Sequence, residues 1–244
     1  MKIVLAVITW MIVFGPVGIA EASSHNEKAS TPPKVGLVLA GGGAKGASHV
    51  GVIKVLEELG VPIDYIAGTS MGAVVGGLYA SGMNAAQLEE AVKSIDWGDI
   101  FNDKPTREDR DFRRKLDDEG SLIRYKLGFK DGEFQLPRGV ILGQKLNLVL
   151  RSLARRAIGI DDFDKLSIPF RAVAADIESG RPVILKNGDL ANAMRASMAV
   201  SGVFPPIEID GKLLVDGGLS NNVPIDVVRQ MGADIAIVVS FPVQ

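Results

Sequence analysis

A single serine lies between two glycines in the segment Gly68-Thr69-Ser70-Met71-Gly72. A short apolar run, residues 65–67, precedes this segment, and a helical pattern begins at Ala73. Strand, sharp turn and helix therefore occur in the order that a nucleophile elbow requires, and the flanking glycines allow the close backbone approach of such a turn. This arrangement predicts that Ser70 lies at the N-terminus of a helix, where free N–H groups and the helix dipole favour a developing oxyanion.

A glycine-rich loop, Gly41-Gly42-Gly43-Ala44-Lys45-Gly46, occurs upstream of the serine. It follows the buried-strand pattern of residues 35–39 and leads into a helical pattern that Gly60 ends. Consecutive glycines leave the backbone N–H groups unobstructed by side chains. The loop is therefore suited to an anionic oxygen, either that of a phosphate or the oxyanion of an acyl transfer.

The same loop admits two other interpretations. Gly41, Gly43 and Gly46 match the dinucleotide fingerprint G-x-G-x-x-G, and Asp64 lies near the position of a ribose-binding acid. Such an acid should end the second strand, whereas here the apolar run continues past Asp64 into the serine segment. Alternatively, the glycines only permit close packing of a strand against a helix.

A nucleophilic serine needs a base, and the chain has only two histidines, His25 and His49. His25 lies in a polar N-terminal stretch, and His49 lies near the start of the helix after the glycine loop, where packing is expected. A carboxylate is the other candidate, because Asp216 ends an apolar strand pattern and is followed by Gly217 and Gly218. The alternative is an ordinary turn aspartate, since Asp-Gly is a common turn pair.

The order of Gly-Gly-Gly-x-x-Gly, Gly-x-Ser-x-Gly and Asp-Gly-Gly resembles the patatin-like phospholipase family, from about Val35 to the C-terminus. The resemblance implies a three-layer αβα fold with a mostly parallel sheet, and hydrolysis of lipid acyl esters by a Ser–Asp dyad without a histidine, metal or cofactor. Ser70 would be the nucleophile and Asp216 the general base. The resemblance also assigns the supporting glycine motifs: Gly68 and Gly72 at the elbow, Gly217 and Gly218 after the aspartate, and an oxyanion hole at Gly41, Gly42, Gly43, Lys45 and Gly46.

Three further segments are similar to the passenger domains of bacterial patatin-like autotransporters. They are Phe112-Arg113-Arg114-Lys115, Leu136-Pro137-Arg138-Gly139 and Gly143-Gln144-Lys145-Leu146. Those proteins continue beyond this domain, whereas this sequence ends at Gln244, so a natural short form and a fragment of a longer autotransporter are both open.

The expected partners are a phospholipid or other acyl-ester substrate and a membrane surface. A dinucleotide-dependent oxidoreductase and a non-catalytic lipid-binding or adhesion module remain as alternative functions.

The 244 residues are enough for one domain with a full core. A net charge of −2 gives no reason to expect nucleic-acid binding, and the absence of cysteine excludes disulfides and thiolate metal sites. Two histidines in the whole chain also make a zinc site unexpected.

The N-terminus has the pattern of a signal peptide. Lys2 precedes an apolar stretch, Gly15-Pro16 interrupts it, and Ala20-Glu21-Ala22 fits the small-x-small cleavage rule. We therefore expect a signal peptide over residues 1–22, a flexible linker over 23–33 and a hydrolase domain over 34–244. The protein would be secreted, periplasmic or associated with the cell envelope. An uncleaved membrane anchor is the alternative.

Strand and helix patterns alternate through the rest of the chain, which is typical of a parallel sheet with helices on both faces. Residues 96–140 differ, since they are charged and rich in loop residues, with a hairpin expected at Asp131-Gly132. The other expected elements are a helix to about Ser81, an Asn84–Gln87 helix cap, a helix over 144–157, a strand over 170–175, hairpins at Asn187-Gly188 and Asp210-Gly211, a helix from Pro224 to Gly232 and a buried strand over 235–239.

Overall fold

The computed structural model describes residues 32–100, 128–130, 133–135 and 143–242. Contacts between Cα atoms group Pro33–Gln244 as one unit. The expected signal peptide, most of the expected linker and the segments 112–115 and 136–139 lie outside the described residues. Within the described ranges, no helix is both long enough and apolar enough to cross a membrane.

The strands and helices alternate along the chain as the patterns predict. The strands are β1 (Val35–Leu39), β2 (Tyr65–Thr69), β3 (Gly128–Lys130), β4 (Glu133–Gln135), β5 (Phe170–Asp176), β6 (Pro182–Leu185), β7 (Ile207–Ile209), β8 (Lys212–Asp216) and β9 (Ile235–Val239). The helices are α1 (His49–Glu58), α2 (Met71–Ala80), α3 (Ala85–Ser94), α4 (Trp97–Ile100), α5 (Gln144–Leu153), α6 (Leu190–Ser197) and α7 (Ile225–Gln230).

A seven-stranded sheet forms the centre, in the order β7-β8-β5-β2-β1-β9, with β6 also paired to β5. Strands β9, β1, β2 and β5 are parallel, while β6 and β8 are antiparallel to β5, and β7 is antiparallel to β8. Five of the seven strands therefore run in one direction, which confirms the predicted mostly parallel sheet.

Alternation of side chains along the strands builds a core on each face of this sheet. On β1, Leu37 and Leu39 enter the larger core, which includes residues of α1, α2, α3, α5 and α6. Val38 points to the opposite face, where it packs with Val227 and Val228 of α7. The three-layer αβα architecture follows directly from this pattern.

The strands β2 and β8 share one edge of β5. Residues 172–175 of β5 pair with β6, and this range overlaps the pairings with both β2 and β8. Because a strand has only two edges, β2 and β8 must both lie on the edge opposite β6. Thr69 pairs with Val173, and Asp216 pairs with Ala174. The C-terminal ends of β2 and β8 therefore meet at consecutive positions on β5.

Local signals at the helix ends are confirmed. Gly60 and Gly82 have positive φ angles of 64° and 98°, as the residues after helices α1 and α2 require. Asn84 and Gln87 form a reciprocal capping box at the start of α3. The helix expected over 144–157 is α5 followed by a 3₁₀ turn.

Two predictions about the sheet are wrong. The pair Asn187-Gly188 does not join two strands, since β6 ends at Leu185 and the chain enters α6 with Asp189 as its N-cap. The antiparallel pair of β5 and β6 is instead connected by residues 177–181. The strand over 235–239 exists but is not buried, because β9 is a sheet edge, with Ile235 45% and Val238 40% exposed.

The hairpins predicted at the Asp-Gly pairs, unlike that at Asn187-Gly188, agree with the strand pairing. Strands β7 and β8 pair directly on either side of Asp210-Gly211, which confirms that hairpin. Strands β3 and β4 also pair antiparallel, with Lys130 opposite Glu133, while their turn residues lie outside the described ranges. The short helix α4, within the region expected to be loop-rich, was not predicted from the sequence.

Candidate active site

Ser70 lies in a strained backbone conformation between β2 and α2. Its φ and ψ angles are 54° and −122°, and it occupies the N-cap position of α2. A non-glycine residue with positive φ is uncommon and often marks a functional site. A Cβ atom on Gly68 would overlap the Gly72 carbonyl, and one on Gly72 would overlap the Leu39 carbonyl. Both flanking glycines are therefore required by close backbone contact, as the elbow pattern predicts.

The side chain of Ser70 contacts a single carboxylate. Its Oγ donates a hydrogen bond of 2.6 Å to Oδ2 of Asp216. The other carboxylate oxygen, Oδ1, accepts a hydrogen bond of 2.7 Å from the backbone N–H of Gly218. Ser70 and Asp216 are each 8% exposed, so the pair is largely shielded from solvent. The structure thus brings together the two residues that the sequence motifs singled out.

Burial raises the pKa of the Asp216 carboxyl above its ordinary value. The hydrogen bonds from Ser70 and from the Gly218 N–H oppose this shift, because they stabilise the charged form. The net result is a carboxylate that takes up a proton more readily than an exposed aspartate does.

Gly217 and Gly218 allow the backbone to pass close to this carboxylate. A Cβ on Gly217 would overlap the Val173 carbonyl, and one on Gly218 would lie 3.0 Å from Asp216 Oδ1. Close packing of the backbone where β8 ends therefore explains the two glycines that follow Asp216.

The glycine loop lies beside the serine. A Cβ on Gly41 would lie 3.1 Å from the Ser70 Cβ and 2.5 Å from Asn222 Oδ1. Gly43 has a φ of 54° and faces open space, whereas Gly46 packs against Met71.

Hydrogen bonding divides the expected oxyanion-hole residues into two groups. The N–H of Gly41 donates to the Asn222 carbonyl at 3.3 Å, and that of Lys45 donates to the Gly42 carbonyl at 3.1 Å. Within the described part of the chain, the N–H groups of Gly42 and Gly43 have no protein acceptor. Gly43 begins a 3₁₀ helix, whose first N–H groups lack partners within the helix. Of the expected residues, Gly42 and Gly43 therefore have N–H groups available as donors.

His49 occupies a structural position. It is completely buried, and its Nε2 lies 2.8 Å from the Ala40 carbonyl oxygen. Burial lowers the pKa of its imidazole, which favours the neutral ring, and Nε2 donates because a carbonyl oxygen can only accept. Its ring centroid is 5.1 Å from that of Phe241. His25 lies outside the described residues.

The position of Asp64 argues against dinucleotide binding. Asp64 precedes β2, whereas the glycine loop follows the C-terminal end of the parallel strand β1. The two therefore lie at opposite ends of the sheet. The Asp64 carboxylate also accepts hydrogen bonds from the Lys34 ammonium at 2.6 Å and the Val35 N–H at 2.8 Å. It fixes the start of β1 instead of facing a cofactor.

Three residues at the site were missed by sequence reasoning. Asn222 donates through Nδ2 to the Gly41 carbonyl at 3.3 Å, and the Phe241 ring packs on Gly42. The hydroxyl of Ser197 lies 2.9 Å from the Ser70 backbone nitrogen. The Asn-Asn pair soon after Asp-Gly-Gly was a usable signal for Asn222. Ser197 and Phe241 are distant in sequence from every motif and carried none.

Within the described ranges, no group of three or more histidine, cysteine, aspartate or glutamate side chains could hold a metal ion.

Comparison with known families and proteins finds similarity over most of the chain. A family model described as "Patatin-like phospholipase" matches residues 37–229. An uncharacterized NTE family protein of Mycobacterium tuberculosis is 35% identical over 214 residues, which cover 88% of this chain and 51% of that protein. The human patatin-like phospholipase domain-containing protein 6 is 32% identical over 207 residues, covering 84% of this chain and 13% of that protein.

The chain thus spans about half the length of the mycobacterial relative and a much smaller share of the human one. Among solved structures, VipD from Legionella pneumophila aligns with a TM-score of 0.49 and 18% identity, covering 79% of this chain and 47% of that one.

Proposed function

The chain belongs to the patatin-like phospholipase family, and on that premise we propose that it is a lipid acyl hydrolase with a Ser70–Asp216 dyad. The observation that carries the proposal is the 2.6 Å hydrogen bond from Ser70 Oγ to Asp216 Oδ2. This bond joins the hydroxyl of a residue with a strained backbone directly to a carboxylate, with no histidine between them.

In the proposed reaction, Asp216 Oδ2 accepts the hydroxyl proton while Ser70 Oγ attacks the ester carbonyl carbon. The carbonyl electron pair moves onto oxygen, and the N–H groups of Gly42 and Gly43 stabilise the resulting oxyanion. Collapse of this intermediate breaks the ester bond, and the proton passes from Asp216 to the departing alcohol. A water molecule, deprotonated in turn by Asp216, then attacks the acyl-enzyme, and Asp216 returns this proton to Ser70 Oγ as the fatty acid leaves.

Two features support a carboxylate as the base. Burial raises the pKa of Asp216 and so increases its proton affinity, which partly offsets the weaker basicity of a carboxylate relative to imidazole. The Gly218 N–H holds Oδ1, which leaves Oδ2 directed at the serine hydroxyl.

The proposed substrates are phospholipids or other lipid acyl esters, as the family assignment supports. Contact with a membrane surface is part of the proposal. Two apolar side chains close in sequence to residues of the site are exposed and could contact lipid. Leu219 directly follows the Asp-Gly-Gly turn and is 68% exposed. Val200 is 44% exposed and follows Ala199, whose carbonyl accepts from the Asp216 N–H. Export through the N-terminal signal pattern of residues 1–22 is likewise proposed.

The test is covalent labelling with a fluorophosphonate probe, followed by assays on phospholipid vesicles and on a soluble ester. We expect the wild-type protein to be labelled at Ser70 and to release fatty acid. Ser70→Ala should abolish both results without lowering the melting temperature. A wild-type protein that binds vesicles without labelling or hydrolysis would instead be a lipid-binding module.

A further inference from the structure

The hydroxyl of Ser197 occupies a position in the sheet where a ladder hydrogen bond would otherwise form. In the parallel pair of β2 and β5, the Ile66 N–H donates to the Pro169 carbonyl at 2.9 Å. Bonds of this series recur at every second residue of a parallel ladder. Continued by four residues on each strand, the series brings the Ser70 N–H opposite the Val173 carbonyl.

The elbow turns the chain away at this point, and Ser197 fills the gap. Its Oγ donates to the Val173 carbonyl oxygen at 2.5 Å and accepts from the Ser70 N–H at 2.9 Å. Because the single hydroxyl proton is used on Val173, the Ser70 N–H meets an oxygen lone pair, and the direction of both bonds is fixed. Ser197 is completely buried, so water cannot replace its hydroxyl without repacking.

The same segment also holds the other member of the dyad. Ser197 is the last residue of α6, and two positions later the Ala199 carbonyl accepts a 2.9 Å hydrogen bond from the Asp216 N–H. Asp216 pairs with Ala174 of β5, next to Val173. The C-terminal end of α6 therefore binds the backbone of both Ser70 and Asp216 where β2 and β8 meet.

We propose that Ser197 is a positioning residue that holds Ser70 in its strained conformation and sets its alignment with Asp216. The inference rests on the proposed hydrolase function. Without the hydroxyl, the Ser70 N–H and the Val173 carbonyl would be buried without partners, and the strained backbone of Ser70 would be free to shift. Such a shift would displace Oγ from the line between Asp216 and the oxyanion donors, so it would affect turnover more than substrate binding.

The experiment compares Ser197→Ala with Ser81→Ala. Ser81 is a matched control, because it is also buried and also donates to a backbone carbonyl, that of Leu78, at 2.7 Å. It lies at the opposite end of α2 from Ser70, about 15 Å away along the helix. Turnover per fluorophosphonate-titrated site, KM on a soluble ester and melting temperature are measured for each protein.

We expect Ser197→Ala to lower kcat about tenfold to a hundredfold with KM nearly unchanged. Ser81→Ala should keep the wild-type kcat, even if it lowers the melting temperature as much as Ser197→Ala does. Ser197→Cys, which retains a weak donor and acceptor, should fall between serine and alanine. Equal kcat values for the Ser197→Ala and Ser81→Ala variants would overturn the proposal.

Hydrogen exchange of the Ser70 amide gives a readout that does not depend on catalysis, and its wild-type measurement needs no variant. In the wild-type protein this amide should exchange slowly, and in folded Ser197→Ala or Ser197→Cys it should exchange faster. Rapid exchange in the wild type would overturn the proposal by itself. If the wild type neither labels nor hydrolyses, the hydrolase function fails, while amide exchange still decides whether Ser197 holds Ser70.

Discussion

Ser70 follows β2 and Asp216 ends β8, and these two strands run toward each other along one edge of β5. The pairings of Thr69 with Val173 and of Asp216 with Ala174 place the strand ends at consecutive positions of β5. Residues 146 positions apart in the chain are thereby brought to 2.6 Å. A mixed sheet is necessary for this geometry, since in a purely parallel sheet two strand ends cannot face each other on one edge.

The rate of hydrolysis of a soluble ester should rise with pH along an acid limb that lies above the ordinary aspartate pKa of 3.8. The base must be deprotonated to accept the Ser70 proton, and burial raises its pKa. The measurement is kcat/KM from about pH 4 to about pH 8. An acid limb at or below the ordinary aspartate value would contradict this assignment.

Asp216→Asn should lower turnover by orders of magnitude without destabilising the fold at neutral pH. Because the folded-state pKa is raised, the wild-type carboxyl favours folding below about pH 3.8 and loses that contribution as pH rises through the folded pKa. Asparagine is never ionised, so it avoids the cost of burying a charged carboxylate at neutral pH. Its side-chain oxygen can still accept the hydrogen bond from the Gly218 N–H. The melting temperature of the variant relative to wild type should therefore increase from about pH 4 to about pH 7. A relative decrease over that range would show that the ionised carboxylate stabilises the fold.

The glycine motifs around Ser70 and Asp216 could be predicted from the sequence because each has a short-range steric cause. The glycines at 68, 72 and 217 are required by backbone contacts, and such requirements appear in the sequence as fixed glycine spacings. The contributions of Ser197 and Phe241 could not be predicted, because they depend on which segments the sheet brings together. The exposed edge position of β9 was also missed, since an apolar run does not distinguish a central strand from an edge strand.

His49→Gln should retain most of the turnover, because His49 donates to the Ala40 carbonyl and has no contact with Ser70 or Asp216 among its assigned hydrogen bonds. Its lowered pKa has a separate effect on stability. The contribution of the neutral ring is present above about pH 6.5 and is lost as pH falls below it, since the unfolded chain then binds a proton. The variant should accordingly lose less stability than wild type between about pH 7 and about pH 5. A folded His49→Gln protein as inactive as Asp216→Asn would replace the dyad with a histidine-dependent mechanism.

Hydrolysis should not change when EDTA is added, because the proposed steps use only protein groups and water. The assay is turnover on a soluble ester before and after dialysis against the chelator, since a soluble substrate separates a metal requirement from effects on a lipid surface. Activity that is lost with EDTA and restored by calcium would show a metal site that the present assignment lacks.

The last prediction concerns the packing of Phe241 on Gly42 of the glycine loop. A Cβ on Gly42 would lie 2.6 Å from Phe241 Cε2, so Gly42→Ala must displace either the ring or the loop. If the loop moves, the Gly42 and Gly43 N–H groups are misdirected, and losing one oxyanion donor typically costs roughly a hundredfold or more in kcat. Adding Phe241→Ala removes the obstacle, so the double variant should recover part of the turnover that Gly42→Ala loses.

Gly43→Ala provides the matched comparison for this rescue. Gly43 has a φ of 54° and no atom within 4 Å of its Cβ position, so an alanine there is costly through backbone strain and not through the ring. Phe241→Ala should therefore rescue Gly42→Ala but leave Gly43→Ala as impaired as before. Measured kcat values for the two single variants, the Phe241→Ala variant and both double variants decide the matter. Equal rescue at both glycines, or at neither, would show that Phe241 does not control the position of Gly42.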